Sequence, residues 1–228
     1  MDLGLLFNLN PVVLAFMAGM LGLIIGSFLN VVIYRLPVML EQQWRIQCQE
    51  LAAEGGTPCA EERLNLLVPR SRCPECGHAI GPMENIPVIS YLMQRGRCKH
   101  CGTPIPMRYP LVELATALLS AIVAWYYGPT LQTVAALLLT WALVALSVID
   151  YREQLLPDAI TLPFLWFGIA LSLLTVFTDL KSSVLGAMAG YLALWSVYHL
   201  FRILTGKEGM GFGDFKLLAM LGAWLGWQ

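Results

Sequence analysis

The sequence predicts an all-α polytopic membrane protein of about six spans, with a small cysteine-bearing module between the first span and the second. Three observations carry that expectation. The 228 residues are 57% hydrophobic and only 13% charged, whereas a soluble domain is about 45–50% apolar and about 25% charged. Five stretches approach the roughly 20 apolar residues that cross a bilayer, and a sixth begins near the end of the chain. Four cysteines fall as two CxxC pairs inside the longest polar interval. The net charge of −1 supplies no basic field, so a nucleic-acid partner is not expected.

The spans follow in order. The first covers about Pro11–Tyr34. It does not read as a cleavable signal, because Asp2 and no Lys or Arg precede it and its apolar run exceeds a signal h-region. The next four cover about Leu111–Tyr127, Leu131–Ile149, Ala159–Phe177 and Val184–Leu204, and the sixth starts at Phe215. The intervals 128–130 and 178–182 are short, so consecutive spans should pack antiparallel. Thirteen of the fourteen Lys and Arg residues lie in alternate intervals or at the matching span ends, and Lys181 alone lies opposite. The positive-inside bias makes that face cytosolic, puts the N-terminus outside, and places the end of span three and the start of span six at one membrane face.

Three segments result: residues 1–34 as the first span, 35–109 as a cytosolic domain, and 110–228 as the remaining membrane core. Residues 41–68 are polar and helix-leaning until Gly55-Gly56-Thr57-Pro58 breaks the pattern. Residues 69–110 are rich in Pro, Gly and Cys, with too little apolar side chain for a core, so a metal would have to hold them. Cys73-Pro-Glu-Cys76-Gly and Cys98-Lys-His-Cys101-Gly are separated by 21 residues, and each carries Gly after its second Cys, where the backbone can turn back. Cys73, Cys76, Cys98 and Cys101 suit one tetrahedral, closed and therefore structural Zn²⁺; the competing reading is free or redox thiols. His78 and His100 read as solvated, and Cys48 and Cys59 as ordinary cysteines.

Two aspartates bracket the apolar C-terminal half. Asp150 ends span three, where the helix dipole disfavours a negative charge. Asp214 closes Gly211-Phe212-Gly213-Asp214 ahead of span six. By itself Asp214 reads as a helix N-cap, and Asp158 after Pro157 more so. Together at one membrane face, Asp150 and Asp214 read as a catalytic pair, since an ionisable group at a bilayer edge marks a function. Two neighbouring carboxylates share a proton, so one activates water and the other polarises a carbonyl. The glycines at 209, 211 and 213 leave room for an extended peptide to pair with the backbone there. Ser147 and Ser196 have no His or Asp partners in the sequence.

These residues stand in blocks that resemble the type IV prepilin peptidases, bifunctional leader peptidases and N-methyltransferases with a GxGD motif. The blocks are Gly26-Ser-Phe-Leu-Asn-Val-Val-Ile-Tyr-Arg-Leu-Pro37, the two CxxC knuckles around Glu84-Asn-Ile-Pro-Val-Ile-Ser-Tyr-Leu92, and Arg108-Tyr-Pro-Leu-Val-Glu113. Asp150 with Leu155-Leu-Pro-Asp158, and Lys207 through Lys216, complete them. The resemblance implies that Asp150 and Asp214 are catalytic. It implies cleavage of short basic leaders from type IV prepilin and pseudopilin precursors at the cytosolic face of a bacterial inner membrane. It also implies N-methylation of the new N-terminal residue with S-adenosylmethionine. Gly211, Gly213 and Lys216 are candidates for substrate binding, and Glu84, Asn85, Arg108 and Glu113 for the methyltransferase region. Glu113 has a plainer reading as an acid in the first helical turn after Pro110. Family members continue with one or two further spans, so C-terminal spans are expected to be missing here.

Three other readings compete: a peptidase without methyl transfer, a silent membrane scaffold with a zinc module, and a transporter using the aspartates as proton sites. A transporter should carry repeats relating its two halves, and none is visible.

Overall fold

The computed structural model describes residues 10–52, 65–66, 71–207 and 209–227. The turn expected at Gly55–Pro58, Cys59 and the charge at Asp2 lie outside them. Helices α1 (Pro11–Ala52), α2 (Ile89–Met93), α3 (Arg108–Tyr127), α4 (Leu131–Glu153), α5 (Asp158–Ser172), α6 (Leu180–Thr205) and α7 (Phe212–Leu225) follow in order, with a 3₁₀ turn at Pro82–Asn85. Among the described residues the only β pairing is two isolated bridges. The architecture is therefore all-helical, and four helices, α1, α3, α4 and α6, are long and apolar enough to cross a membrane. This is an integral membrane protein.

The spans differ from expectation in three places. First, α1 does not stop near Tyr34. It runs 42 residues, through Pro37, to Ala52, or about 63 Å at about 1.5 Å per residue. That is about twice the hydrocarbon thickness of a bilayer. Proline removes one ladder hydrogen bond, and the polar continuation carries the helix on, helped by the Arg45–Glu41 pair at 2.7 Å. Second, α5 ends at Ser172 rather than Phe177, because a turn with Thr175 at φ 48° follows it. Third, α7 begins at Phe212 rather than Phe215, and it ends where Gly226 takes φ 85°. With 15 and 14 residues, α5 and α7 reach only about 22 Å and are short for a full crossing.

The chain forms two compact units, dividing within α4 between Ile149 and Asp150. In the N-terminal unit α1 and α3 pack through small residues. A Cβ on Gly22 would lie 2.8 Å from Ala117 Cα, and one on Gly26 would lie 2.8 Å from Glu113 Cα. Backbones in a membrane approach this closely only where side chains are absent or small. Asn30 Nδ2 donates to the Tyr109 carbonyl at 3.1 Å near the same seam. Trp141 Nε1 donates to Ser120 Oγ at 2.9 Å, which joins α4 to α3.

In the C-terminal unit α5, α6 and α7 pack together. Gly186 of α6 lies against the backbone of Gly222 of α7, with no space for a Cβ on either. Trp224 of α7 is buried and donates its indole N–H to the Phe164 carbonyl at 2.8 Å, with Gly168 making room for the ring. Asp179 caps α6 by accepting from the Ser182 N–H at 3.1 Å. These contacts seat α7, and with it Asp214, against α5 and α6.

Candidate active site and cysteine cluster

Asp150 lies in the last turn of α4 and Asp214 in the first turn of α7, both in the C-terminal unit. Each is half-buried. They are near enough for the charge of Asp150 to act on Asp214. The N-cap reading of Asp214 is overturned. Gly211 is the N-cap residue of α7, so Asp214 stands at the third helical position and turns its carboxylate back toward Gly211. Asp158 is not a cap either. It is the first residue of α5, after Pro157, and its carboxylate is held by Lys216 Nζ at 2.6 and 2.8 Å.

The glycines of this segment divide by role. A Cβ on Gly213 would lie 2.8 Å from Leu156 Cβ, and one on Gly209 would lie 2.7 Å from the Phe201 ring. Both serve internal packing. At Gly211 the backbone is extended, at φ −77° and ψ 148°, and a Cβ would meet only Asp214 Oδ2, at 3.9 Å. Tyr198, Phe212 and Phe215 form a ring cluster around the start of α7, with centroids 5.4–5.7 Å apart. Sequence reasoning missed the cluster. The aromatics at 198, 212 and 215 are visible in the chain, but only the α6–α7 contact joins them.

In the N-terminal unit the two knuckles have the same geometry. Cys73 N–H bonds to the His78 carbonyl at 2.9 Å, and Cys98 N–H to that of Thr103 at 2.8 Å. Gly77 and Gly102 take φ 69° and 71°, the left-handed turn expected of them. The sulfurs of Cys73, Cys76, Cys98 and Cys101 lie within 4.8 Å of one another, and Cys73 and Cys101 Sγ are 3.8 Å apart. Tetrahedral zinc–thiolate bonds of about 2.3 Å imply an S–S spacing of about 3.8 Å, so the cluster could hold a metal ion. The Thr103 hydroxyl, 3.2 Å from Cys101 Sγ, and the Thr103 backbone bring that thiol down to about 6, while burial and the neighbouring sulfurs push Cys76 up to about 12.

The two histidines are not simply solvated. Their rings lie 4.1 Å apart, and His78 Nε2 sits 3.2 Å from Glu84 Oε2. Glu84 also accepts from the Gly81 N–H at 3.2 Å and has Lys99 Nζ at 3.9 Å. The Gly81 hydrogen bond, then His78, draws its carboxyl below the ordinary carboxylate range. Glu113 is buried and lies beyond the first turn of α3, which overturns the helix-dipole reading. Its Oε2 accepts from the Val88 N–H at 2.8 Å. Val88 precedes α2 at φ 59°, a costly conformation for a β-branched residue. Asn85 is exposed, and exposed Arg108 lies 5.2 Å over the Tyr109 ring.

Against known proteins, residues 20–127 match the bacterial peptidase A24 N-terminal domain and residues 137–228 match the type IV leader peptidase family. A prepilin leader peptidase/N-methyltransferase of Pseudomonas putida is 53% identical over 229 residues, covering 100% of this chain and 78% of that protein. The chain belongs to the type IV leader peptidase family. The same description applies to a relative in Aeromonas hydrophila, 59% identical over 206 residues, covering 90% of this chain and 71% of that protein. A third, in Dichelobacter nodosus, is 55% identical over 214 residues, covering 92% of this chain and 75% of that protein. No solved structure matches. Both aspartates lie in the part matching the leader peptidase family, and all four knuckle cysteines in the part matching the N-terminal domain.

Proposed function

We propose that Asp150 and Asp214 are the catalytic dyad of a leader peptidase that cuts type IV prepilin and pseudopilin precursors. Their placement in one unit, with Asp214 within reach of the charge of Asp150, carries this reading. One carboxylate takes a proton from water as it attacks the scissile carbonyl. The other carries a proton and donates a hydrogen bond to the carbonyl oxygen. The amide nitrogen then leaves with the proton that the pair took from water. Gly211 offers its extended backbone beside Asp214 to the incoming peptide. Gly213 shapes the site through its packing on Leu156, and Lys216 through Asp158.

The second activity is N-methylation of the new N-terminus, as in the names of the relatives. S-adenosylmethionine would be the methyl donor. Glu84 and Glu113 are engaged in internal hydrogen bonds, and Asn85 and Arg108 alone are too little to hold that molecule. Of the four candidates for the methyltransferase region, Glu84 and Glu113 therefore act by positioning the segments they bond, and exposed Asn85 and Arg108 are the ones free to meet a ligand. Cys73, Cys76, Cys98 and Cys101 would hold one structural Zn²⁺, which cross-links the module. The basic residues favour a bacterial inner-membrane protein with the dyad and the cysteine module on the cytosolic side.

The test is cleavage of a prepilin leader peptide by detergent-purified wild type, Asp150→Asn and Asp214→Asn, with the product N-terminus weighed by mass spectrometry. Wild type alone should cleave and add a methyl group. Cleavage retained in either variant rules out the dyad.

A further inference from the structure

Helix α2 carries Ile89, Leu92 and Met93 at positions i, i+3 and i+4, one face of a helix, and all three are exposed, Met93 at 80%. A five-residue helix with an open apolar face requires a cover. Two bonds within the N-terminal unit tie α2 to the start of α3. The Val88 N–H donates to Glu113, and the Tyr91 hydroxyl lies 3.0 Å from Met107 Sδ. Met107 directly precedes α3, whose 20 residues are apolar enough to cross a bilayer. Met107, Leu111, Leu114 and Leu118 recur every three or four residues, and all are exposed. They form an exposed apolar stripe of α3, and α2 is tied to its N-terminal end at Met107. Arg95, Arg97 and Arg108 flank the patch, exposed and without an acidic partner among the described residues.

We infer that the α2 face is a membrane-interface anchor: Ile89, Leu92 and Met93 enter the headgroup layer while Arg95, Arg97 and Arg108 meet anionic lipid phosphates. An apolar face bordered by arginines is the composition that lies in the plane of a bilayer surface, and each cation near an anionic surface adds to the attraction. Glu113 is the positioning residue, since it holds the strained Val88 that aims α2 at that level. The anchor keeps the cysteine module against the membrane. It depends on the membrane span of α3 and not on the catalytic reading of the aspartates.

The test uses the full chain in nanodiscs, with trifluoromethyl-phenylalanine at Met93 and, in a second protein, at Leu92. Controls carry it at Leu118, within the stripe, and at Gln49, near the polar end of α1. A lipid bearing a nitroxide near its headgroup should broaden the 93 and 92 resonances about threefold or more, as for a group about 5–10 Å into the interface. An aqueous gadolinium chelate should broaden Gln49 strongly and these two weakly. Replacing phosphatidylglycerol with phosphatidylcholine should lessen the lipid effect, and Arg95→Gln with Arg97→Gln should remove that dependence. Broadening of both sites by the aqueous probe to the level of Gln49 overturns the inference. Shielding that appears only when a prepilin peptide is added also overturns it and assigns the face to substrate.

Discussion

Lys216 Nζ lies 2.6 Å from Asp158 Oδ2 and thereby joins the second turn of α7 to the first residue of α5. The pair crosses the segment that presents Asp214, two positions before Lys216. An exposed pair of this kind contributes only about 0–1 kcal/mol to stability, so its value lies in where it holds α7.

If Lys216 acts through Asp158, Lys216→Ala and Asp158→Ala should lower kcat to a similar extent, and the double variant should be little worse than either. The exchange Asp158→Lys with Lys216→Asp should recover part of the loss. A rise in KM for Lys216→Ala alone would instead give Lys216 to the substrate. Steady-state cleavage of a prepilin peptide reads both outcomes.

The dyad should behave as one unit. Asp150→Asn and Asp214→Asn should each reduce cleavage by about 10³-fold, within the range general acid–base groups supply. The double variant should add little to either loss. Circular dichroism and membrane fractionation should show all three inserted and helical, which separates lost chemistry from lost folding.

The glycines before α7 should respond unequally. Gly213→Ala places a methyl against Leu156 Cβ, an overpacking that typically costs about 1–3 kcal/mol, and should lower the thermal midpoint. Gly211→Ala has space and a negative φ, so its midpoint should match wild type. If Gly211 pairs with the substrate backbone, this variant should nonetheless cleave more slowly. Thermal unfolding in detergent beside peptide cleavage tests the pair.

Removing the metal should separate the two activities. Purified wild type should hold one zinc, read by plasma mass spectrometry, and Cys73→Ser should hold much less. A closed four-cysteine site contributes folding energy to the module it links. Cys73→Ser should therefore become protease-sensitive between residues 71 and 107 and lose methyl transfer, while leader cleavage persists. Equal loss of both activities would show that the module also supports the dyad.

The all-helical class and the knuckles were legible because each depends on local pattern. Long apolar runs need little context to become membrane helices, and CxxC pairs followed by Gly specify both turns within a few residues. The helix ends were less legible. The apolar run stops near Tyr34, yet α1 continues through Pro37 to Ala52, and the turn at Thr175 that ends α5 carries no Gly or Pro signal. The plain readings of Asp158, His78 and Glu113 failed for one reason. Their partners, Lys216, Glu84 with His100, and Val88, are brought to them by folding across 58, 6 with 22, and 25 positions.

The sequence by itself determined the solvent this protein folds in, the helices that meet it and the four thiolates that can take a metal, because composition and short-range spacing decide these. Only the tertiary structure decided which residues act on each other. It brought Asp214 within reach of the charge of Asp150, closed Lys216 onto Asp158, turned Gly213 toward Leu156, and set Glu113 under Val88. Hydrogen bonds and close packing act over a few ångströms, and residues far apart in sequence come that close only when helices pack.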